Sequence, residues 1–318
     1  MNGLLQITRA GSTLRVSEKI ALFFFTYALV VAWFFPISLG ERAAILLLNA
    51  VAIGVVFLLG QHGRPEKNNF LSVLRDWLPC VLIVLAYRES GLFLTPDVSH
   101  RLDNLFIVWD RALLGSSWFK SIAAAGAPWL GRLMELAYLL VYPFVPMGFA
   151  AVYFGRGSSD ANGTARATDS ADFYWTAVLL AVLASYALFP FFPLTPPRVL
   201  FHDLPMATGA AGSMADPSLL RKLNYWVLNR YSVEACIFPS GHVAGAVATA
   251  LAVRALRPRL GVVFLFAAAC ITVSTVFGRY HYTADALAGL ALGVAGFLLA
   301  RLLARRSAQV PTELQQAS

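Results

Sequence analysis

The sequence predicts an all-α fold, a polytopic membrane helix bundle of about eight spans, and three observations predict it. The chain is 58% hydrophobic and only 13% charged, whereas a soluble domain carries roughly 25% charged residues. Its mean hydropathy is +0.65. Its apolar residues gather into long runs that recur from end to end, most of them near the ~20 residues that a hydrocarbon core of ~30 Å demands. A protein with one anchor would show a single such run.

The elements follow in order. A basic leader with Arg9, Arg15 and Lys19 precedes an apolar run at 20–39. That run exceeds the roughly 7–15 residues of a signal-peptide core and is read as the first span. Further spans are expected at 43–59, 77–94, 133–154, 173–192, 241–256, 260–276 and 284–303. The third contains Arg88 and Glu89; the sixth is short and carries Arg254 near its end. Residues 1–72 are thus expected to form a cytoplasmic leader with two extra spans, 73–306 the catalytic core, and 307–318 a polar cytoplasmic tail.

The net charge of +8 is read as orienting charge that flanks the spans, not as a nucleic-acid surface. With eight spans both termini share a side. The leader, the loop with Arg64, Lys67 and Arg75, the loop with Arg156 and Arg166, the Arg254/Arg257/Arg259 turn and the tail with Arg301, Arg305 and Arg306 all fall on it. Lys and Arg are retained in the cytoplasm, so both termini of this multi-pass cell-membrane protein are expected there. Cys80, Cys236 and Cys270 have neither disulfide nor zinc-ligand spacing and are read as packing residues.

Two loops on the opposite side are long. In the first, Val98, Leu102, Leu105, Phe106, Trp109 and Leu113 recur at helical spacing, with Asp103, Asn104, Asp110 and Arg111 between them. This predicts a helix lying in the membrane interface. The second, 193–240, mixes Tyr225, Trp226 and Tyr231 with Arg221, Lys222 and Arg230, as headgroup-level segments do. The Gly-, Ser-, Asp- and Thr-rich stretch 155–170 is read as a flexible loop.

Ionisable groups near membrane spans are costly and mark functional sites. Three segments carry them. In the first, Pro239 and Ser240 precede Gly241 and His242 at the start of an Ala-rich apolar helix. Ser240 is a preferred N-cap, and unpaired N–H groups behind it can receive an anion. Gly241 and Gly245 read as a close-packing pair. In the second, His281 and Asp285 are four residues apart, the spacing of one helix face, with Arg279 two residues upstream. A carboxylate on one ring nitrogen fixes the tautomer and frees the other. In the third, Arg198 follows a proline-stiffened turn, Pro193-Leu194-Thr195-Pro196-Pro197. Tyr138, Tyr142 and Glu135 of the fourth span, with Arg88 and Glu89 of the third, are candidates to line the site.

Topology joins these segments. Two spans separate His242 from His281, and Arg198 opens the loop that ends at Ser240, so all reach one side. Phosphoryl transfer requires cations around the phosphoryl oxygens, an in-line nucleophile and an acid for the leaving oxygen. Arg198, Arg279, Ser240 and Gly241 suit phosphate binding, His281 oriented by Asp285 suits nucleophilic attack, and His242 suits proton transfer. Water or an alcohol would serve equally as acceptor. No cofactor and no metal is expected.

These residues resemble the type 2 phosphatidic acid phosphatase superfamily over roughly residues 77–303. Its Pro-Ser-Gly-His motif matches Pro239 to His242, and its His-x-x-x-Asp motif matches His281 and Asp285. The resemblance implies a six-helix core, His281 as nucleophile, His242 as general acid and a phosphorylated lipid as substrate. It departs elsewhere: Arg279 stands two residues before His281 instead of six, Phe191 stands where the first motif has Lys, and Val199 follows Arg198 in place of Pro. The stretch Arg279-Tyr280-His281-Tyr282-x-x-Asp285, the run from Asp110-Arg111 to Gly115 and the Pro196-Pro197-Arg198 turn are similar to the inositol phosphorylceramide synthase branch. That branch moves a phospho-headgroup between lipids. With the termini in the cytoplasm, the active site is expected on the periplasmic or extracellular face.

Two other functions compete. A serine hydrolase would use Ser240, His281 and Asp285 as a triad. A lipid or ion transporter would use a His/Asp relay.

Overall fold

The computed structural model describes residues 14–62, 69–94, 102–115, 128–155, 163–200, 219–233 and 238–316. Among them there are helices and no strands: α1 (Val16–Val31), α2 (Leu39–His62), α3 (Asn69–Ser90), α4 (Asp103–Leu114), α5 (Pro128–Leu139), α6 (Val141–Tyr153), α7 (Gly163–Leu188), α8 (Leu219–Tyr231), α9 (Gly241–Leu256), α10 (Pro258–Phe277) and α11 (Thr283–Gln316). Single helical turns lie at Gly91–Phe93, Phe189–Phe191 and Pro197–Leu200. Among the described residues five helices are long and apolar enough to cross a membrane, or six if the bent pair α5–α6 is one span; α9, with 16 residues, is apolar but shorter.

Several boundaries differ from expectation, each for a local reason. The apolar run 20–39 is not one helix. α1 ends at Val31, and the chain turns before α2, where Ser38 and Glu41 cap each other: the Ser38 N–H donates to Glu41 Oε2 (2.7 Å) and the Glu41 N–H to Ser38 Oγ (3.2 Å). This reciprocal cap starts a new helix whatever the hydropathy around it. The run 133–154 bends by 59° at Leu140. Pro143 lacks the N–H that would bond Leu139, and its ring crowds that carbonyl. The helix α7 starts at Gly163, inside the stretch read as a loop to residue 170, and the backbone of α11 continues as far as Gln316, through the expected polar tail. A helix is present as α4 where the 98–113 periodicity predicts one; Val98 lies outside the described residues, as does Cys236.

The core forms around α9, which packs against α6, α7, α10 and α11 and buries most of its length. Small side chains permit this close approach. A Cβ on Gly241 would lie 2.7 Å from the Tyr186 ring and one on Gly245 3.1 Å from Val182, so this glycine pair seats α9 on α7. Gly289 and Gly293 do the same for α11: a Cβ there would stand 2.5 Å from the Ser240 carbonyl and 2.7 Å from Val247. The helix carrying Asp285 is thereby pressed against the helix start carrying His242.

At the other end of α7, buried charges tie α1 to the bundle. Arg15 pairs with Asp76 (2.6 Å), and Arg75 pairs with Glu18 through Nε (2.5 Å) and Nη2 (2.7 Å). Asp172 accepts the first N–H groups of α1, from Val16 (3.1 Å) and Ser17 (2.9 Å).

Candidate active site

Ser240 is the N-cap of α9, and its hydroxyl accepts the Val243 N–H (3.3 Å). That cap places His242 in the first turn. The Ser240 N–H donates to the Asp285 carbonyl (3.2 Å), so the two histidine segments share a backbone hydrogen bond. The rings of His242 and His281 lie 5.6 Å apart at 89°.

His281 Nδ1 bonds Asp285 Oδ2, both groups buried. The pairing does not arise on one helix face as the spacing suggested. His281 stands two residues before α11 begins, at the end of a turn in which the Tyr280 and His281 N–H groups both donate to the Thr275 carbonyl (2.9 and 3.0 Å). The carboxylate holds the proton at Nδ1, so Nε2 carries the lone pair. Burial and the nearby Arg198 guanidinium hold the His281 pKa below the ordinary imidazole range. The ring is therefore neutral at pH 7, the form a nucleophile requires.

The cations separate. Arg198 faces the two histidines: its guanidinium lines their cavity and donates to Ser232 Oγ (3.4 Å), with no carboxylate paired to it among the described residues. Its N–H donates to the Arg279 carbonyl (2.9 Å). Arg279 joins the site through this backbone contact. Its φ of 59° lies in the left-handed region, which is uncommon for a side-chain-bearing residue. Its guanidinium is buried, does not line the histidine cavity, and feels Tyr225 and Arg221 of α8 instead. Arg198 and Arg279, expected together on the phosphate, thus occupy different surroundings.

A buried polar network backs the site. Glu135 of α5 pairs with Arg221 and accepts from Asn224 (2.8 Å) and the Tyr280 hydroxyl (2.7 Å). Burial and the adjacent Glu135 carboxylate keep the Tyr280 phenol well above its ordinary pKa, a donor at any working pH. Tyr280 stacks on Tyr138 at 3.6 Å, and Tyr138 and Tyr142 stand edge-on to His242 at 5.9 and 6.1 Å. Of the candidate lining residues, Tyr138 and Tyr142 touch the histidine, Glu135 acts through Tyr280, Arg88 lines a neighbouring cavity, and Glu89 bonds Asn49 of α2 instead. Sequence reading missed Ser232, Tyr186, Arg221 and Asn224. Arg221, Asn224 and Leu228 recur at i, i+3 and i+7, and that spacing was the available signal of a buried face.

Two cavities meet here. One of about 30 Å³ is bounded by Arg198, His242, His281, Tyr280 and Ser232. It is of the order of one water or a small group. It shares Tyr87, Tyr186, Gly241 and His242 with a second cavity of about 570 Å³, whose walls include Ile83, Val84, Val141, Val145, Val182 and Val227. Among the described residues no three His, Cys, Asp or Glu side chains are grouped to hold a metal ion.

A family model, described as PAP2 superfamily, matches residues 104–299, more than half of the chain. The match runs from α4 into α11, spans both histidines, Asp285 and Arg198, and leaves α1–α3 outside. No curated protein and no solved structure matches the chain.

Proposed function

The chain belongs to the PAP2 superfamily, and from that premise we propose that it is an integral-membrane enzyme that takes the phosphoryl or phospho-headgroup from a lipid through a phosphohistidine at His281. One observation carries the reading: a neutral, carboxylate-held imidazole and a guanidinium line a small cavity that adjoins a large apolar one at His242. The small cavity suits a phosphoryl group and the large one an acyl chain.

The chemistry balances as two displacements. Nε2 of His281 attacks phosphorus while the bond to the lipid oxygen breaks, and His242, entering as the imidazolium, gives that oxygen a proton and becomes neutral. Arg198 and the N–H groups behind Ser240 and Gly241 stabilise the equatorial oxygens. Then water or an acceptor alcohol attacks phosphorus, gives its proton to His242, and the P–N bond breaks. Asp285 keeps the ring's proton on Nδ1 throughout. A buried Ser240 hydroxyl already engaged as a cap disfavours the serine-hydrolase reading.

The similarity of the Asp110-Arg111, Pro196-Pro197-Arg198 and Arg279-Tyr280-His281 stretches to the inositol phosphorylceramide synthase branch favours transfer between lipids over release of phosphate. Basic residues on the loops opposite the site favour cytoplasmic termini and a site on the outer face. The reaction needs no metal in this scheme.

The test incubates wild type and His281→Ala in detergent with a panel of phosphorylated lipids, with and without EDTA. Free phosphate and new phospholipid species are both measured. The expected result is EDTA-resistant turnover that His281→Ala abolishes, with the product distinguishing hydrolysis from transfer. Turnover unchanged in the variant would refute the nucleophile.

A further inference from the structure

The helix α4 contributes nothing to the walls of either cavity, yet its buried face touches all three segments that supply the site. Asp103, Phe106 and Asp110 recur at i, i+3 and i+7 and share that face; each is 4% exposed or less. Asp103 Oδ1 accepts the N–H of Thr195 (2.8 Å), three residues before Arg198. Phe106 packs on Phe238 (ring centroids 4.9 Å), two residues before Ser240, and on Tyr282 (5.7 Å), next to His281. Asp110 Oδ1 accepts the N–H of Thr283 (2.8 Å), the first residue of α11 and two before Asp285.

The opposite face carries Leu105 and Val108, both exposed, with the exposed Trp109 flanking them. The helix therefore buries two carboxylates beside Phe106 and exposes apolar side chains, unlike a helix on a soluble domain. A membrane interface accommodates the apolar face. The inward carboxylates are costly to bury unless each meets a donor. At Thr283 the donor is an N–H that a helix start leaves without an intrahelical partner.

We propose that α4 is a positioning clamp, in which Asp103, Phe106 and Asp110 hold the Arg198, His242 and His281–Asp285 segments in register with one another. The clamp rests on the reading of His281 as the phosphoryl nucleophile. Its residues are positioning residues, since none touches the cavity. A misplacement of ~1 Å at a reacting centre costs ~10²-fold in rate, and that is the expected scale when a clamp contact is lost.

The test compares wild type, Asp110→Ala and Asp110→Asn in the same detergent assay with phosphatidic acid as the probe, recording kcat, KM and thermal midpoint. Asp110→Ala is expected to lose ~10²-fold in kcat with KM and the midpoint little changed. Asn keeps an oxygen on the Thr283 N–H, so Asp110→Asn is expected to restore most of that loss. Where Asp110→Ala does not purify as a folded protein, Thr283→Pro takes the same hydrogen bond from the other side. Proline is tolerated at the first helical position, so this variant is expected to fold and to show the same loss of kcat. Near-wild-type kcat in Asp110→Ala or in Thr283→Pro would overturn the clamp. So would an Asn variant as inactive as the Ala variant, which would give the carboxylate charge a direct part in the chemistry. Absence of turnover in the wild type would instead count against the phosphoryl-transfer reading itself.

Discussion

Two clusters of ionisable side chains border α7 at separate levels, and they are built on opposite rules. Asp172 belongs to one and Tyr186 borders the other; at ~1.5 Å per residue they stand roughly 20 Å apart along the helix. In the first, opposite charges meet and backbone donors are used: Arg15 with Asp76, Arg75 with Glu18, Asp172 on the start of α1. The adjoining void is only about 10 Å³. In the second, the two imidazoles and Arg198 border a cavity, and among the described residues the Arg198 guanidinium has a long bond to a serine hydroxyl and no carboxylate. Buried charge that is satisfied internally serves the fold. Half-buried charge held against an adjacent space serves a ligand. Residue type does not separate the two, because each cluster contains arginines and aspartates.

The comparison breaks most visibly at Arg198. Arg198→Ala removes a guanidinium that faces the histidines. A rate loss of ~10³–10⁵ is expected of a phosphoryl-stabilising arginine, equivalent to roughly 4–7 kcal/mol. The thermal midpoint should barely move, since a single weak hydrogen bond is lost. Steady-state kinetics and a melting curve on one preparation decide it, and a large drop in midpoint with unchanged kcat would make Arg198 a member of the first kind of cluster.

Glu18→Ala should show the mirror image. It removes the carboxylate that Arg75 meets through Nε and Nη2, and breaking a buried pair costs about 3–5 kcal/mol of stability. Chemical denaturation should report that loss while kcat per folded molecule stays at the wild-type value. A comparable fall in kcat would mean that the α1 tether reaches the site.

The pH profile sharpens the electrostatic half of the comparison. An imidazole of ordinary pKa is protonated below about 6.5, so lowering the pH to 5.5 would remove about tenfold of a histidine nucleophile. Burial and Arg198 depress the His281 pKa, so the neutral ring persists as pH falls through that range. The acid limb of kcat/KM should therefore lie below pH 6.5. A limb at or above 6.5 would contradict the depression, and a limb that does not rise in Arg198→Ala would contradict the part assigned to Arg198.

The smallest effect is expected at Ser240. Ser240→Ala loses an N-cap, about 1 kcal/mol, with turnover retained. Loss of all activity would revive the serine as a nucleophile.

How much of this was legible in the sequence follows from range. The Ser240 cap, the His242 position and the His281–Asp285 pairing are set within a few residues, and their spacing revealed them. The pairing survives even though the helix begins only at Thr283, because four residues bring the two side chains together across a helix start as well as along one. The bend at Leu140 was encoded by Pro143 but masked by continuous hydropathy. The direction of Arg279 depends on a left-handed backbone angle that its residue type does not announce. The Glu135–Arg221 pair joins residues 86 apart, and no local periodicity specifies such a partner. The large apolar cavity was invisible for the same reason, since it forms where side chains of α3, α6, α7, α8 and α9 fail to meet.

The central claim is the covalent bond to His281. The most direct measurement mixes the enzyme with phosphatidic acid radiolabelled at phosphorus, quenches in alkali within one turnover, and locates the label by peptide mapping. The account predicts an alkali-stable, acid-labile phosphoryl group on the peptide bearing His281, absent from His281→Ala. Label on Ser240, or full turnover with no label on His281, would contradict it.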